Sequence, residues 1–77
     1  MRKVFKDLAI GEKFSDGVSI AQRAIDTDMY EVLVKTTKST AKVIDQIGYG
    51  NKRAVNSQRK YAPNKTVFTE KVGNYVL

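Results

Sequence analysis

Cysteine and histidine are both absent from this chain. Without histidine there is no imidazole to act as an acid–base catalyst near neutral pH. Without cysteine there is no thiol nucleophile and no disulfide. Without either there is no Cys/His zinc site. No run approaches the roughly 18 apolar residues of a membrane span. The opening Met1-Arg2-Lys3 is basic, but no apolar stretch follows it, so a secretory signal is not expected. The chain reads as a soluble, cytoplasmic protein that needs no cofactor. The chemistry left to it is that of carboxylates, lysine, tyrosine, Ser/Thr hydroxyls, or a metal held by oxygen ligands.

The 77 residues make one small domain. A domain of this size buries a smaller share of its surface than a large one, and oligomerisation is a common remedy. A homo-oligomer is therefore one expectation.

The densest β-type sequence lies between Tyr30 and Ile44. Val32, Leu33 and Val34 are apolar and mostly β-branched, which suits a pleated surface. Alternation sets Tyr30, Val32 and Val34 on one face, read as core. Glu31, Leu33 and Lys35 fall on the other, read as mostly solvated. Thr37 to Ser39 makes a short polar hairpin loop, without the Asn-Gly pair that favours the tightest turns. On the return strand Ala41 and Val43 are set toward the core and Lys42 and Ile44 away from it. The opposite register would swap those faces.

Before this hairpin, Phe5 and Leu8 are spaced for a single helical or folded turn. Gly11 permits a reversal, and Lys13-Phe14 begins an extended segment. Residues 15–28 contain the turn signal Gly17. Val18 and Ile20 fit a strand, with a short helix over 19–25 as the alternative. Asp26, Asp28 and Glu31 are close in sequence, but their spacing fits no calcium loop, so they read as a solvated acidic loop.

After the hairpin comes a long polar connection over 45–63. Gly48-Tyr49-Gly50-Asn51 is turn chemistry, Lys52 to Val55 reads as a short strand, and Ala62-Pro63-Asn64 as another turn. The last strand is expected over Thr66 to Val72. In it the adjacent Val67 and Phe68 must face opposite ways, leaving one of them exposed or covered by a partner chain. Gly73-Asn74 breaks that strand, and Tyr75-Val76-Leu77 is an apolar tail.

Charge is distributed unevenly. Residues 1–34 hold five basic and six acidic groups, whereas residues 35–77 hold nine basic groups against Asp45 and Glu70, for a formal total of +6. A basic half on a small domain points to an anionic partner: nucleic acid, a nucleotide or an acidic protein surface. The alternative is that the lysines only keep sheet edges and loops soluble. The candidate partner-binding set is Lys35, Lys38, Lys42, Lys52, Arg53, Arg59 and Lys60, with Tyr49 and Tyr61 interleaved. Tyrosines beside cations suit base stacking on a single strand, and they suit a protein interface equally. Both tyrosines can instead cap the ends of the core.

The opening Phe5-x-Asp7-Leu8-x-x-Gly11-x-x-Phe14 resembles the F-x-D-L-x-x-G-x-x-F start of many small bacteriophage and prophage proteins. Tyr30 to Thr36 is similar to their later Tyr-x-K-T strand, with three extra residues between Tyr30 and Lys35. Ala54-Val55-Asn56 and Asn64-x-x-Val67 resemble the remainder of that pattern. The resemblance implies a compact, mostly β domain of phage origin and implies no activity.

The expected fold is thus mostly β, a small SH3-like, partly open barrel of about five strands, with an α+β domain carrying one short helix as the alternative. The expected function is non-enzymatic: a binding protein that inhibits or redirects a host macromolecule. Direct nucleic-acid binding is one alternative. An oligomeric sponge for a small anionic signal nucleotide, of the anti-defence kind, is the other.

Overall fold

The structure is a computed structural model, and it describes residues 2–16, 30–48, 50–72 and 75–77. It is mostly β, with eight short strands and one 3-10 turn among the described residues. The strands are β1 (Arg2–Val4), β2 (Lys13–Phe14), β3 (Tyr30–Lys35), β4 (Thr40–Ile47), β5 (Gln58–Lys60), β6 (Thr66–Phe68), β7 (Lys71–Val72) and β8 (Tyr75–Val76). They form an antiparallel four-stranded sheet in the order β2-β3-β4-β5, a β1-β6 pair and a β7-β8 pair. The sheets are open.

The central hairpin is the expected one. β3 and β4 pair from Tyr30 opposite Ile47 to Lys35 opposite Ala41. Three threonines hold its loop in place of an Asn-Gly turn. The Thr36 and Thr37 amides donate to the Thr40 carbonyl (3.0 and 3.2 Å). The Thr37 hydroxyl accepts from the amides of Ser39 (3.3 Å) and Thr40 (3.1 Å) and lies 2.7 Å from the Thr40 hydroxyl. Such side-chain oxygens substitute for backbone partners in a short turn.

The faces of β3 are reversed from the sequence expectation. Leu33 is fully buried, with Glu31 and Lys35 beside it, whereas Val32 and Val34 are only half-buried. Tyr30 is buried as expected, although it alternates with the outward set. Polar partners decide the matter. The Lys35 ammonium donates to the carbonyls of Phe5 (3.0 Å) and Leu8 (2.8 Å), and it stands 4.7 Å over the Phe5 ring. The Phe5 carbonyl accepts the Leu8 amide within the 3-10 turn (3.1 Å), and the buried ammonium gives it a second partner while also satisfying the Leu8 carbonyl just beyond the turn. On β4, Ala41 and Val43 point inward and Lys42 and Ile44 outward, as expected.

The core comprises Phe5, Leu8, Phe14, Leu33, Ala41, Val43 and Val67, with Tyr61 packed against it. Phe5, Phe14 and Tyr61 form an aromatic trio. Tyr61 stacks on Phe5 at 5.0 Å and meets Phe14 edge-on at 5.5 Å. The Ser15 and Phe68 amides each donate to the other's carbonyl (both 2.8 Å), which ties the four-stranded sheet to the β1-β6 pair. The Phe5 amide donates to the Lys65 carbonyl and the Lys6 amide to that of Pro63, both at 2.9 Å.

Two further expectations change. Lys52 to Val55 is not a strand; residues 53–56 form a turn. The Asn51 carboxamide accepts the Arg53 amide (2.9 Å), the Val55 amide reaches the Lys52 carbonyl (3.2 Å), and Asn56 takes φ of 77°. Asparagine tolerates that left-handed geometry, and a strand does not. The last strand is also interrupted: β6 ends at Phe68 and β7 starts at Lys71. Val67 is its buried member and Phe68 is half-buried. The strand or helix expected within 15–28 lies outside the described residues beyond Asp16, as do Asp26 and Asp28.

Candidate functional site

The strand register decides which cations share a surface. In an antiparallel sheet, directly opposed residues project on the same face. Lys13 lies opposite Val34, Val34 opposite Lys42, and Lys42 opposite Gln58. These four residues form one row across the outer face. Strands lie about 4.8 Å apart, so the row is about 14 Å long. Lys60 pairs with Thr40, one outward position along from Lys42 on the same face. Lys13, Lys42, Gln58 and Lys60 are all exposed. Among the described residues no ion pair engages Lys13, Lys42 or Lys60.

The expected set of binding residues divides into distinct environments. Lys42 and Lys60 lie on this face. Lys38 is exposed at the tip of the hairpin loop, and Arg53 is exposed in the turn at 53–56. Lys52 is exposed but held by Asp45 at 3.1 Å. That ammonium and the Gln46 amide hold the Asp45 carboxyl below the usual carboxylate range.

Three members of the set are engaged within the fold. Lys35 is buried on the two carbonyls already described. Arg59 faces the interior and grips the buried Glu31 through two parallel bonds, both 2.9 Å. The same carboxylate accepts from the Gln46 side-chain amide (2.7 Å), and the Gln46 oxygen accepts the Ala54 amide (3.3 Å). A bidentate guanidinium–carboxylate pair is the strong form of this contact. Tyr61 is inside the aromatic trio, and its hydroxyl donates to Asp16 at 2.9 Å. Burial first, then the Asp16 charge, push its phenol well above the usual 10.0. Tyr61 caps the core, with one ring face stacked on Phe5 and Phe14 meeting it edge-on. Tyr49 lies outside the described residues.

Sequence reading missed Lys13 and Val34 as parts of a surface; it set Ile44 outward but did not foresee the bulge that places it there. The register shifts between Val32 and Leu33, so that Leu33 opposes Val43 while Val32 opposes Asp45. Ile44 is the extra residue and is 38% exposed. The signal for Lys13 was its neighbour: Phe14 is wholly buried, so Lys13 must face out.

The other candidate features carry little. A shallow groove is lined by Lys3, Val4, Asp7 and Thr66, and its ammonium is engaged by Glu12 at 3.3 Å. Among the described residues no three carboxylates gather as a metal site would require. No helix of the described residues is long and apolar enough to cross a membrane. Comparison with protein-family models, curated proteins and solved structures finds no match.

Proposed function

We propose that this chain is a non-enzymatic binding protein of phage type, which engages an acidic host macromolecule through the outer face of the β2-β5 sheet. The observation that carries this reading is the difference in how cations are used. Lys35, Arg59, Lys3 and Lys52 have partners within the protein, whereas Lys13, Lys42 and Lys60 share one face without any among the described residues. Lys13 and Lys42 are two strands apart, about 10 Å, and Lys42 and Lys60 are about 7 Å apart on the diagonal. These separations are within a Debye length of roughly 10 Å at 0.1 M salt, so their fields add. Such a face steers anionic partners toward it.

A partly open, SH3-like barrel is the finer architecture that fits this reading. The Ser15–Phe68 bridge and the Phe5–Lys65 and Lys6–Pro63 bonds support it, because they carry backbone pairing from one sheet toward the other. In such a fold the outer face of the longer sheet is left available.

Tagged protein and its Lys42→Glu/Lys60→Glu variant, incubated with bacterial lysate, test the reading. An acidic protein recovered in stoichiometric amount by the parent and lost by the variant is the expected result. Recovery of nucleic acid alone, or equal recovery by both proteins, contradicts it.

A further inference from the structure

The outer face is not uniformly basic. Between the lysines, Val32 and Val34 are half-buried and Ile44 is 38% exposed. The register places Val34 directly between Lys13 and Lys42. Val32 is the next outward residue on β3, and Ile44, extruded by the bulge, is the next outward residue on β4. Three branched apolar side chains are thus neighbours on this face, with Lys13 and Lys42 on either side of Val34 and Lys60 one strand further on. At the far end the strip meets Asp45, whose charge is matched by Lys52.

Resting on the reading above, we infer that this strip is the centre of the interface, and that the partner is a protein segment both acidic and apolar. The segment's apolar side chains would cover Val32, Val34 and Ile44 while its carboxylates meet Lys13, Lys42 and Lys60. Interfaces put apolar residues at the centre and charges at the rim, which is the order found here. A single strand would use the lysines equally well but needs flat rings for its bases, and a duplex would meet them through its phosphates and leave the aliphatic side chains uncovered. Among the described residues this face offers branched aliphatic side chains instead, and the ring of Tyr61 is engaged by Phe5 and Phe14. A second copy of the chain is disfavoured by charge, since like faces would bring three lysines against three.

The strip is held by backbone rather than by loop. β3 and β4 are paired along its whole length, and the Val43 amide and carbonyl are further bonded to Ser57 (2.9 Å) and Asn56 (2.7 Å). A surface fixed in this way loses little freedom on binding.

Titration of the isotopically labelled protein with defined probes is the test. The probes are a peptide alternating Glu with Leu, a poly-Glu peptide of equal charge, a thymidine 20-mer and a short DNA duplex. The Glu/Leu peptide is expected to bind about tenfold more tightly than poly-Glu, because it buries aliphatic surface as well. Its shift changes should centre on the amides of Lys13, Val32, Val34, Lys42, Ile44 and Lys60. Val34→Thr with Ile44→Thr should reduce that advantage to about twofold or less. Shift mapping on the unaltered protein keeps the test valid if those substitutions impair folding. Equal affinity for the two peptides overturns the apolar strip and leaves the basic-face reading intact. Tightest binding to either DNA overturns the acidic-protein partner. No binding to any probe in low salt overturns both the strip and the reading it rests on.

Discussion

The two faces of one sheet treat the same residue types in opposite ways. On the inner face of β3, Lys35 and Glu31 are buried, and each charge is held by at least two polar partners. On the outer face of the same strands, Lys13, Lys42 and Lys60 stand in water around half-buried valines. Inside, a charge without a partner carries a desolvation penalty, so every one has been given a partner. Outside, water solvates the ammonium, and the chain gains no stability from it. The contrast teaches that counting lysines in this basic protein does not locate its site. Only those that the fold does not use are available to another molecule.

Breaking the inner face should have the largest effect. Glu31→Ala would leave Arg59 and Gln46 without their shared acceptor. Removing one partner of a buried pair costs several kcal/mol. Because the Arg59 side chain is 38% exposed, screening reduces this to about 2–3 kcal/mol. Urea unfolding should show a midpoint shift with an unchanged slope. Lys35→Met keeps the aliphatic stem but leaves the Phe5 and Leu8 carbonyls without their charged donor, and it should cost about 2 kcal/mol. The accompanying sign is loss of protection from hydrogen exchange in the 3-10 turn.

Smaller effects come from the edges of the core. Tyr61→Phe removes one hydroxyl bond to Asp16 and should cost about 1 kcal/mol. It should also alter the alkaline limb of the stability profile. The Tyr61 pKa is raised in the fold, so its contribution is complete below the unfolded value near 10.0 and declines as pH rises above it. The parent should lose stability above pH 10, and the Phe variant should lose less. At the acid end the sign is opposite. The Ala9 amide, with Lys3, holds the Glu12 carboxyl below its usual 4.5, and Lys52 holds Asp45 below 3.8. Their contributions are present above those values and fade as pH falls through the lowered ones. Both groups are partly exposed and screened by water, so acid titration of a Glu12→Gln/Asp45→Asn variant should differ from the parent only slightly.

The smallest change in stability is expected on the outer face. Lys13→Gln, Lys42→Gln and Lys60→Gln together should shift stability by no more than about 0.5 kcal/mol.

Much of the β framework was legible in the chain. Alternation and β-branching mark β3 and β4, and Gly11, with φ of 91°, marks the reversal before β2. What alternation cannot supply is the identity of the inner set. It separates Glu31, Leu33 and Lys35 from Val32 and Val34 correctly, but hydropathy then chooses the wrong set. The deciding partners of Lys35 lie 27 and 30 residues away in the 3-10 turn, and those of Glu31 lie 15 and 28 away. Long-range satisfaction of a charge leaves no local trace. The bulge that extrudes Ile44 is equally hidden, because it is a property of pairing and not of either strand. Arg59 and Tyr61, which flank Lys60 in sequence, turn inward while Lys60 does not, and their partners Glu31, Asp16 and Phe5 are likewise distant in the chain.

The most direct test pairs two readouts on one variant. Lys13→Glu/Lys42→Glu/Lys60→Glu should unfold in urea at the parent's midpoint and lose its binding to the Glu/Leu peptide. A variant that unfolds earlier yet still binds the peptide would show that these lysines serve the fold, and would contradict the account.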